Sequence, residues 1–568
     1  SNLASDAHAG CNRIEQATIA AAVSPGDLLL IRSEEEVYSG SGIYYGEMQT
    51  VLKTSGDYIY LSGALNDSYT TANNAKAAIV TPINFNVRGS LKIYQHPVSD
   101  SQVTNGIALY YCTKPTGHFE VYDCTKYALR FGSCLAPDVS FYTHTTHFDS
   151  TGTSYGLAIS SATMDGHYRG TVAGARHAVS VGAEPFYPGI SWNNHISCVG
   201  YGLDNAVFDA HEETGSVYFE NCSAHAGTVY NKGSGTDIPG GFSIGAKYNY
   251  IHNCTYSGAA SAVRVKQNAN HVEVIEVDGL FATGNGTYLF KLQTGTTDIS
   301  IDRLILRNIY GEIQNGVSLD SPSGRTTAIN HIFMDNIHLN ECRGLLYTGD
   351  ATNLTLPSTI TISNSSCVDS DNSGQGITIA DSPAISNLVL NNVTLNGMTY
   401  PIYIGNSISR VELNDCRFLN ASSSDHIYMA AGSITELAVN GGFFADCSNS
   451  LLRLAGTSTN CNKLLLNGTT LKDATAVVSC ASGSSLSAAW IGPNDMPSVT
   501  AICNLYGANY LEYFAGGQNL PFLVRGSGSP EDVISAPVGS LFLRSDGSAN
   551  TTLYIKESGS GNTGWVAK

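Results

Sequence analysis

FENCSA (residues 219–224), IHNCTY (251–256), VDGLFA (277–282) and LRNIYG (306–311) are variants of one word: a strand-forming run, an Asn or Gly, and a second short strand-forming run. The word returns as MDNIHL, ISNSSC, LNNVTL, NDCRF, NGGFF and NGTTL. Its turn position falls on Asn221, Asn253, Gly279, Asn308, Asn336, Asn364, Asn392, Asp415, Gly441 and Gly468, at spacings of 32, 26, 29, 28, 28, 28, 23, 26 and 27 residues. A β-rich unit repeating at that length is the signature of a stacked solenoid. One rung cannot bury its apolar face alone. Stacking rungs about 4.8 Å apart pairs every backbone with its neighbours and makes a continuous core. Asn and Gly suit the turn because they tolerate left-handed backbone, and an Asn can also bond the Asn one rung away. An all-β fold follows, with a strand-lined flank long enough to serve a linear polymer.

Composition agrees. The 568 residues exceed one ordinary core, and only 13% are charged, roughly half the usual share. The net charge of −18 excludes nucleic acid as an expected partner, because phosphate binding needs a basic footprint. An anionic ligand stays open, since local basic clusters override a diffuse acidic surface. No apolar run of membrane-spanning length occurs, so no membrane insertion is expected, and no signal peptide opens the chain. The chain starts at Ser1-Asn2, and a longer natural N-terminus is expected ahead of it. Fourteen Cys without a CxxC pair read as reduced packing residues; no metal site and no cofactor are expected.

Three segments are expected. Residues 1–85 hold GDLLLIRSEEEVYS and YYGEMQTVLKTSGDYIYLSG, a small N-terminal β-subdomain or cap. Residues 86–490 carry the rungs, with longer, Tyr- and His-rich loops in the first half, where function tends to reside. Residues 491–568 form a C-terminal β-module with hairpin turns at Asp546-Gly547 and Gly559–Gly561. The closing string APVGSLFLRSDGSANTTLYIKESGSGNTGWVAK resembles the last module of bacteriophage tailspikes, notably of phages infecting Acinetobacter. GDLLLIRS…YYGEMQTVLKTSGDYIYLSG resembles the start of pectate-lyase-like β-helices in such spikes. The resemblance implies a right-handed parallel β-helix, a homotrimer, and a depolymerase of bacterial capsular or other surface polysaccharide. It further implies residence on the virion tail, attachment to the phage baseplate or tail through a missing N-terminal segment, and folding in the host bacterial cytoplasm.

Aligning the strands NAVFDAHEE, GGFSIGAK, SAVRVKQ, TYLFKLQT and NGVSLDS sets a register. Period-2 alternation then places Ser180, Asp209, Ser243, Arg264, Lys291 and Ser318 in one outward column. A second column reads His211, Gly245, Lys266, Gln293 and Asp320. The first candidate site is FDAHEE with GARHAVSVG one rung earlier: His177 and His211 can exchange protons near neutral pH, and Asp209 or Glu212 can orient them. An Arg-His word followed one rung later by Asp-x-His resembles phage depolymerases of this type, which brings in Arg176. The second candidate is the cluster Lys247, Arg264, Lys266 and Lys291. A lyase must remove the proton α to a uronic carboxyl and neutralise the enolate, so a His base beside cations fits. A glycosidase needs two carboxyls instead, drawn from Asp165, Asp209, Glu212 and Glu213. A third reading is an adhesin that binds polysaccharide without cutting it. The lyase reading is favoured. Tyr168, Tyr187, Trp192, Tyr201 and Tyr230 flank these rungs and are the candidates for stacking sugar rings.

Overall fold

The computed structural model describes all residues except 39, 96–103, 146–153, 184–188, 203–205, 227–239, 267–268, 285, 293–297, 321–325, 350–352, 381–384, 424, 492–500, 506–511, 514–522 and 560. The chain is almost wholly β and builds a parallel β-solenoid with a small antiparallel sheet near its start and another sheet near its end. It divides into two compact units, Ser1–His331 and Ile332–Lys568.

In the first unit a five-stranded antiparallel sheet comes first, ordered Arg13–Glu15, Tyr58–Leu61, Tyr44–Ser55, Leu28–Glu36, Lys76–Val80. The unbroken run Leu28-Leu29-Leu30-Ile31 is explained by two covered faces. Leu29 and Ile31 enter the sheet's own core with Val51, Ile59 and Tyr69. Leu28 and Leu30 point the other way, into a cluster with Met48, Met164, Ile190 and Trp192, which ties the sheet to solenoid rungs.

The solenoid strands of this unit pair in parallel. One stack runs Leu129, Leu157, Val179, Phe208, Phe242, Val263, Phe290 and Val317, each directly over the last. All eight are buried and form the apolar spine. Their successors, Arg130, Ala158, Ser180, Asp209, Ser243, Arg264, Lys291 and Ser318, form one column, at the expected register from Ser180 to Ser318; all but Arg264 and Lys291 are buried. Column two is consistent with the same register, and its Gln293 lies outside the described residues.

All ten ladder positions take left-handed backbone, with φ between 49° and 76°. That conformation costs an ordinary L-residue about 1–2 kcal/mol, which is why Asn, Asp and Gly recur there. One cross-rung bond between ladder Asn residues runs from Asn392, the donor, to Asn364 at 3.1 Å. Elsewhere the side chain turns to the Asp just before the neighbouring turn: Asn308 to Asp278 at 2.7 Å and Asn364 to Asp335 at 3.0 Å. Gly441 stands where a Cβ would meet Asp415 Oδ1 at 2.2 Å, so the carboxylate of the rung below occupies the missing side chain's space. Twelve of the described Cys are buried, Cys11 is exposed, and all are free thiols.

In the second unit the same geometry stacks Leu346, Ile377, Ile402, Ile427, Leu452 and Val478. Rung pairing extends past residue 490, with Ala501–Leu505 on Ala476–Cys480. A four-stranded sheet, Leu523–Gly526, Leu541–Arg544, Leu553–Lys556 and Trp565–Ala567, packs a small core of Ala536, Phe542, Tyr554 and Trp565. Its last two pairings are antiparallel; Asp546-Gly547 lies in the connection between Leu541–Arg544 and Leu553–Lys556, and the expected Gly559–Gly561 turn includes residue 560, outside the described residues. No helix among the described residues is long and apolar enough to cross a membrane.

Candidate active site

The column brings the acid and the bases together in the first unit. Asp209 sits mid-strand in Ala206–Ala210 with its carboxylate 3% exposed. Its Oδ1 is 3.0 Å from Lys266 Nζ, and Lys266 also reaches Oδ2 at 3.2 Å. Oδ2 accepts from His211 Nε2 at 2.8 Å. Burial alone would raise the Asp209 carboxyl, but Lys266 and His211 outweigh it and hold the group well below the usual carboxylate range. Asp209 is therefore a fixed anion, with the charge of Lys266 largely spent on it.

His177 and His211 fall into different roles. His177 is 2% exposed, and its Nδ1 donates to the Ala206 carbonyl at 2.7 Å. Its Nε2 faces Asp209 at 3.7 Å, beyond hydrogen-bond reach. Burial pushes its pKa down to about 3, against the pull of Asp209, so it is a neutral wall beneath the carboxylate. The expectation that it exchanges protons with a substrate is corrected: no face of the ring is open to a polymer. His211 follows the strand end, with a third of its side chain exposed. With Nε2 donating to Asp209, Nδ1 carries the lone pair and lies 3.7 Å from Glu213 Oε2. Glu213 is buried and accepts at Oε1 from the Tyr38 hydroxyl at 3.0 Å. Its carboxyl is raised by burial and by the charge of Glu212. Tyr38 is raised in turn by burial and by Glu213. A chain Asp209–His211–Glu213–Tyr38 results, with one exposed imidazole in the middle.

Arg264 and Lys291 occupy the same column on the rungs beyond Ser243, with Lys291 Nζ 4.6 Å from the Tyr288 ring centroid. Arg176 precedes His177, and its charge contributes to keeping that ring neutral. Lys247 does not join this cluster. Its Nζ bridges Asp67 at 3.3 Å and Glu273 at 3.4 Å, and it faces Trp192 and Tyr248. Glu212 is half-buried, with Oε2 enclosed and lacking a hydrogen-bond partner among the described residues. One donor atom each of His211, Glu212 and Glu213 lies within 4.8 Å of the others, a spacing a divalent cation can bridge.

The aromatic candidates need correction. Tyr168 is 0% exposed and packs edge-on against Phe131; Trp192 is 3% exposed inside the seam with the N-terminal sheet. Neither presents a ring face to a sugar. Tyr187 and Tyr230 lie outside the described residues. Tyr201 is exposed and stacks on His225 at 4.7 Å. The half-buried Tyr127 and Tyr155 stack at 5.2 Å on consecutive rungs, and Tyr155 covers the buried His177 ring at 5.5 Å. Arg130 packs over Tyr127 and Tyr110 at 4.7 and 5.4 Å. The signal for these was present: YALRFG, YGLAIS and HAVSVG align at once when the register is carried two rungs toward the N-terminus. No such signal existed for Tyr38, which is 175 residues from Glu213.

Residues 1–81 match the family model described as "K1 capsule-specific polysaccharide lyase, Rider domain". No curated protein matches. Among solved structures the chain is similar to the Gp54 tailspike of Acinetobacter baumannii bacteriophage AP22, in complex with A. baumannii capsular saccharide, at 16% identity and TM-score 0.36, covering 80% of this chain and 64% of that one. The Pseudomonas phage phi297 tailspike gp61 is similar at 15% identity and TM-score 0.37, covering 83% and 62%. The tailspike gp49 of Pseudomonas phage LKA1 is similar at 13% identity and TM-score 0.23, covering 85% and 66%. The chain thus spans less than two thirds of the length of the first two, and no residue role is transferred from any of them.

Proposed function

We propose that this chain is a phage tailspike depolymerase that cuts an acidic bacterial capsular polysaccharide by β-elimination at a uronic acid. The observation that carries the reading is the pairing of an ionised, buried Asp209 with the partly exposed His211, two rungs from Arg264 and three from Lys291. Asp209 fixes the tautomer and orientation of His211, leaving Nδ1 as the base. The base takes the proton α to the uronic carboxyl, the C–O bond to the leaving sugar breaks, and a C=C bond forms. Arg264 and Lys291 neutralise the developing enolate, where preorganised charge has most effect. The leaving oxygen takes a proton from solvent. Glu213, whose carboxyl is raised, receives the proton that His211 acquired and returns the base to its neutral form. The Rider-domain match over residues 1–81 supports a capsule lyase. No step calls for a metal or cofactor. Work on a virion tail as a homotrimer, joined to the phage through a further N-terminal segment, belongs to the same reading. Light scattering tests the assembly by a mass three times that of the monomer.

One observation favours a second reading. Glu213, raised by burial and by the neighbouring charge of Glu212, has the character of a general acid, so the pair fits a glycosidase. Asp209 does not fit as the acid, because it is held ionised. Incubation with uronate-containing capsules decides: a lyase yields an unsaturated uronate absorbing in the near ultraviolet, and a glycosidase yields reducing ends without that absorbance. Unchanged polymer length after prolonged incubation overturns both and leaves a binding protein.

A further inference from the structure

Beside the His211 site, still within the first unit, the N-terminal sheet and the solenoid rungs enclose a cleft of about 170 Å³. Tyr38 and Tyr45 line it from the sheet; Glu212, Lys247, Asn270 and Glu273 line it from the rungs. Its volume is below the roughly 300–1,000 Å³ of drug-sized sites, so it suits a single sugar ring better than a length of chain. Glu212 Oε2 and Asn270 Oδ1 are both enclosed, and neither has a hydrogen-bond partner among the described residues. Each is an acceptor, and an enclosed acceptor is unfavourable until a donor reaches it.

The charges of the lining narrow the ligand further. Two basic side chains line the cleft: Lys247 is engaged by Asp67 and Glu273, and His271 faces Asp302 at 3.7 Å; Glu273 also accepts from the Tyr248 hydroxyl at 2.5 Å. Glu212 Oε2 remains without a partner among the described residues. A carboxylate sugar would meet like charge there, whereas hydroxyl, amide N–H or ammonium groups would meet acceptors. Two aromatic side chains offer ring or hydroxyl contacts to the sugar's apolar and polar sides.

We propose that this cleft is a subsite for a neutral or amino pyranose, held by donation to Glu212 Oε2 and Asn270 Oδ1. The inference rests on the reading of the His211 site as one that acts on polysaccharide. It adds a composition rule to that reading: the repeating unit carries a uronic acid for the Arg264 and Lys291 side and a hexosamine or neutral hexose for the cleft. It also assigns a task to the N-terminal sheet, which supplies one wall of the subsite through Tyr38 and Tyr45.

Saturation-transfer NMR on the full chain tests this with three probes: the methyl glycosides of N-acetylglucosamine, glucosamine and glucuronic acid. The hexosamine glycosides are expected to bind about tenfold tighter than the glucuronide, as one buried acceptor pair satisfied or repelled would give. Asn270→Ala is expected to weaken the hexosamine about fivefold and to raise the polymer KM by a similar factor, with kcat and the thermal midpoint held. Equal or tighter glucuronide binding, no hexosamine binding, or hexosamine binding unchanged in Asn270→Ala would each overturn the subsite. A wild-type chain that binds hexosamine through Asn270 but cuts no uronate polymer would overturn the reaction and leave the subsite standing. Cleavage with no dependence on Asn270 would do the reverse.

Discussion

The column of the first unit reads Arg130, Ala158, Ser180, Asp209, Ser243, Arg264, Lys291, Ser318; the equivalent column of the second reads Thr378, Tyr403, Tyr428, Arg453, Ser479. Backbone geometry is the same in both, a parallel strand over an apolar spine. The side chains are used differently. In the second column Tyr403 and Tyr428 stack at 5.7 Å, and Arg453 donates to Ser479 at 2.5 Å. The buried Asp425 is satisfied by Ser450 and Asn449, neutral donors from the next rung. In the first column the buried carboxylate is held by a lysine and an exposed imidazole. Satisfying a buried acid with neutral hydroxyl and amide groups makes structure; satisfying it with titratable groups at a surface makes a site where protons can move.

The buried histidines repeat the contrast. His177 lies under Asp209 with one nitrogen bonded, whereas His426 has neither ring nitrogen bonded and sits among Phe418 and Phe444. Burial pushes His426 down to about 3. The first lies beneath a buried carboxylate, and the second is a packing residue.

The sharpest break would come from His211. Its replacement by Ala is expected to lower polymer cleavage by about 10²–10⁴-fold, the range of a lost general base, with little change in melting temperature. Activity surviving in His211→Ala would remove the distinction between the two columns. Asp209→Asn should lower both activity and stability, because a mostly buried Lys266 loses its counter-charge, at a cost of about 3 kcal/mol. The double variant Asp209→Leu with Lys266→Met should recover much of the stability without the activity, measured by denaturant melts and product release.

Acid acts on both units next, because His177 in the first and His426 in the second are each pushed down to about 3 by burial. His426 is neutral in the fold, with its pKa below the ordinary 6.5. The unfolded chain therefore takes up a proton that the folded chain refuses. Stability falls as pH drops below the ordinary value and continues falling toward about 3. At about pH 5 that loss is about 2 kcal/mol, and His426→Phe should lack it in melts across the pH range. Asp209 works in a different window: its stabilisation holds above the ordinary carboxylate range and is lost only as pH falls through its depressed value. The smallest effect is expected in the second column, where Arg453→Gln should leave cleavage within about twofold and stability within about 0.5 kcal/mol. A large loss of cleavage there would mean that both columns serve the polymer.

Much of this was legible in the chain itself. The Asn, Asp and Gly repeat established the solenoid, because a left-handed turn position restricts residue type and stacking forces the restriction to recur. The same repeat supplied the register of Asp209, Ser243, Arg264, Lys291 and Ser318, because period-2 alternation propagates from any rung aligned. Contacts between elements distant in sequence were not legible. Whether Trp192 and Tyr168 face solvent depends on what covers them, and the cover came from the N-terminal sheet in one case and the opposite strand in the other. The alternation of Leu28–Ile31 shows both faces buried but not what buries them. Lys247 and Lys266 have the same charge and lie on neighbouring rungs, yet the first is held by Asp67 of the N-terminal sheet region and the second by Asp209. Sequence alone determined which residues share a column, since that is a property of the repeat. Tertiary structure decided which of them are buried, paired or open, since that depends on desolvation and on partners up to 180 residues away.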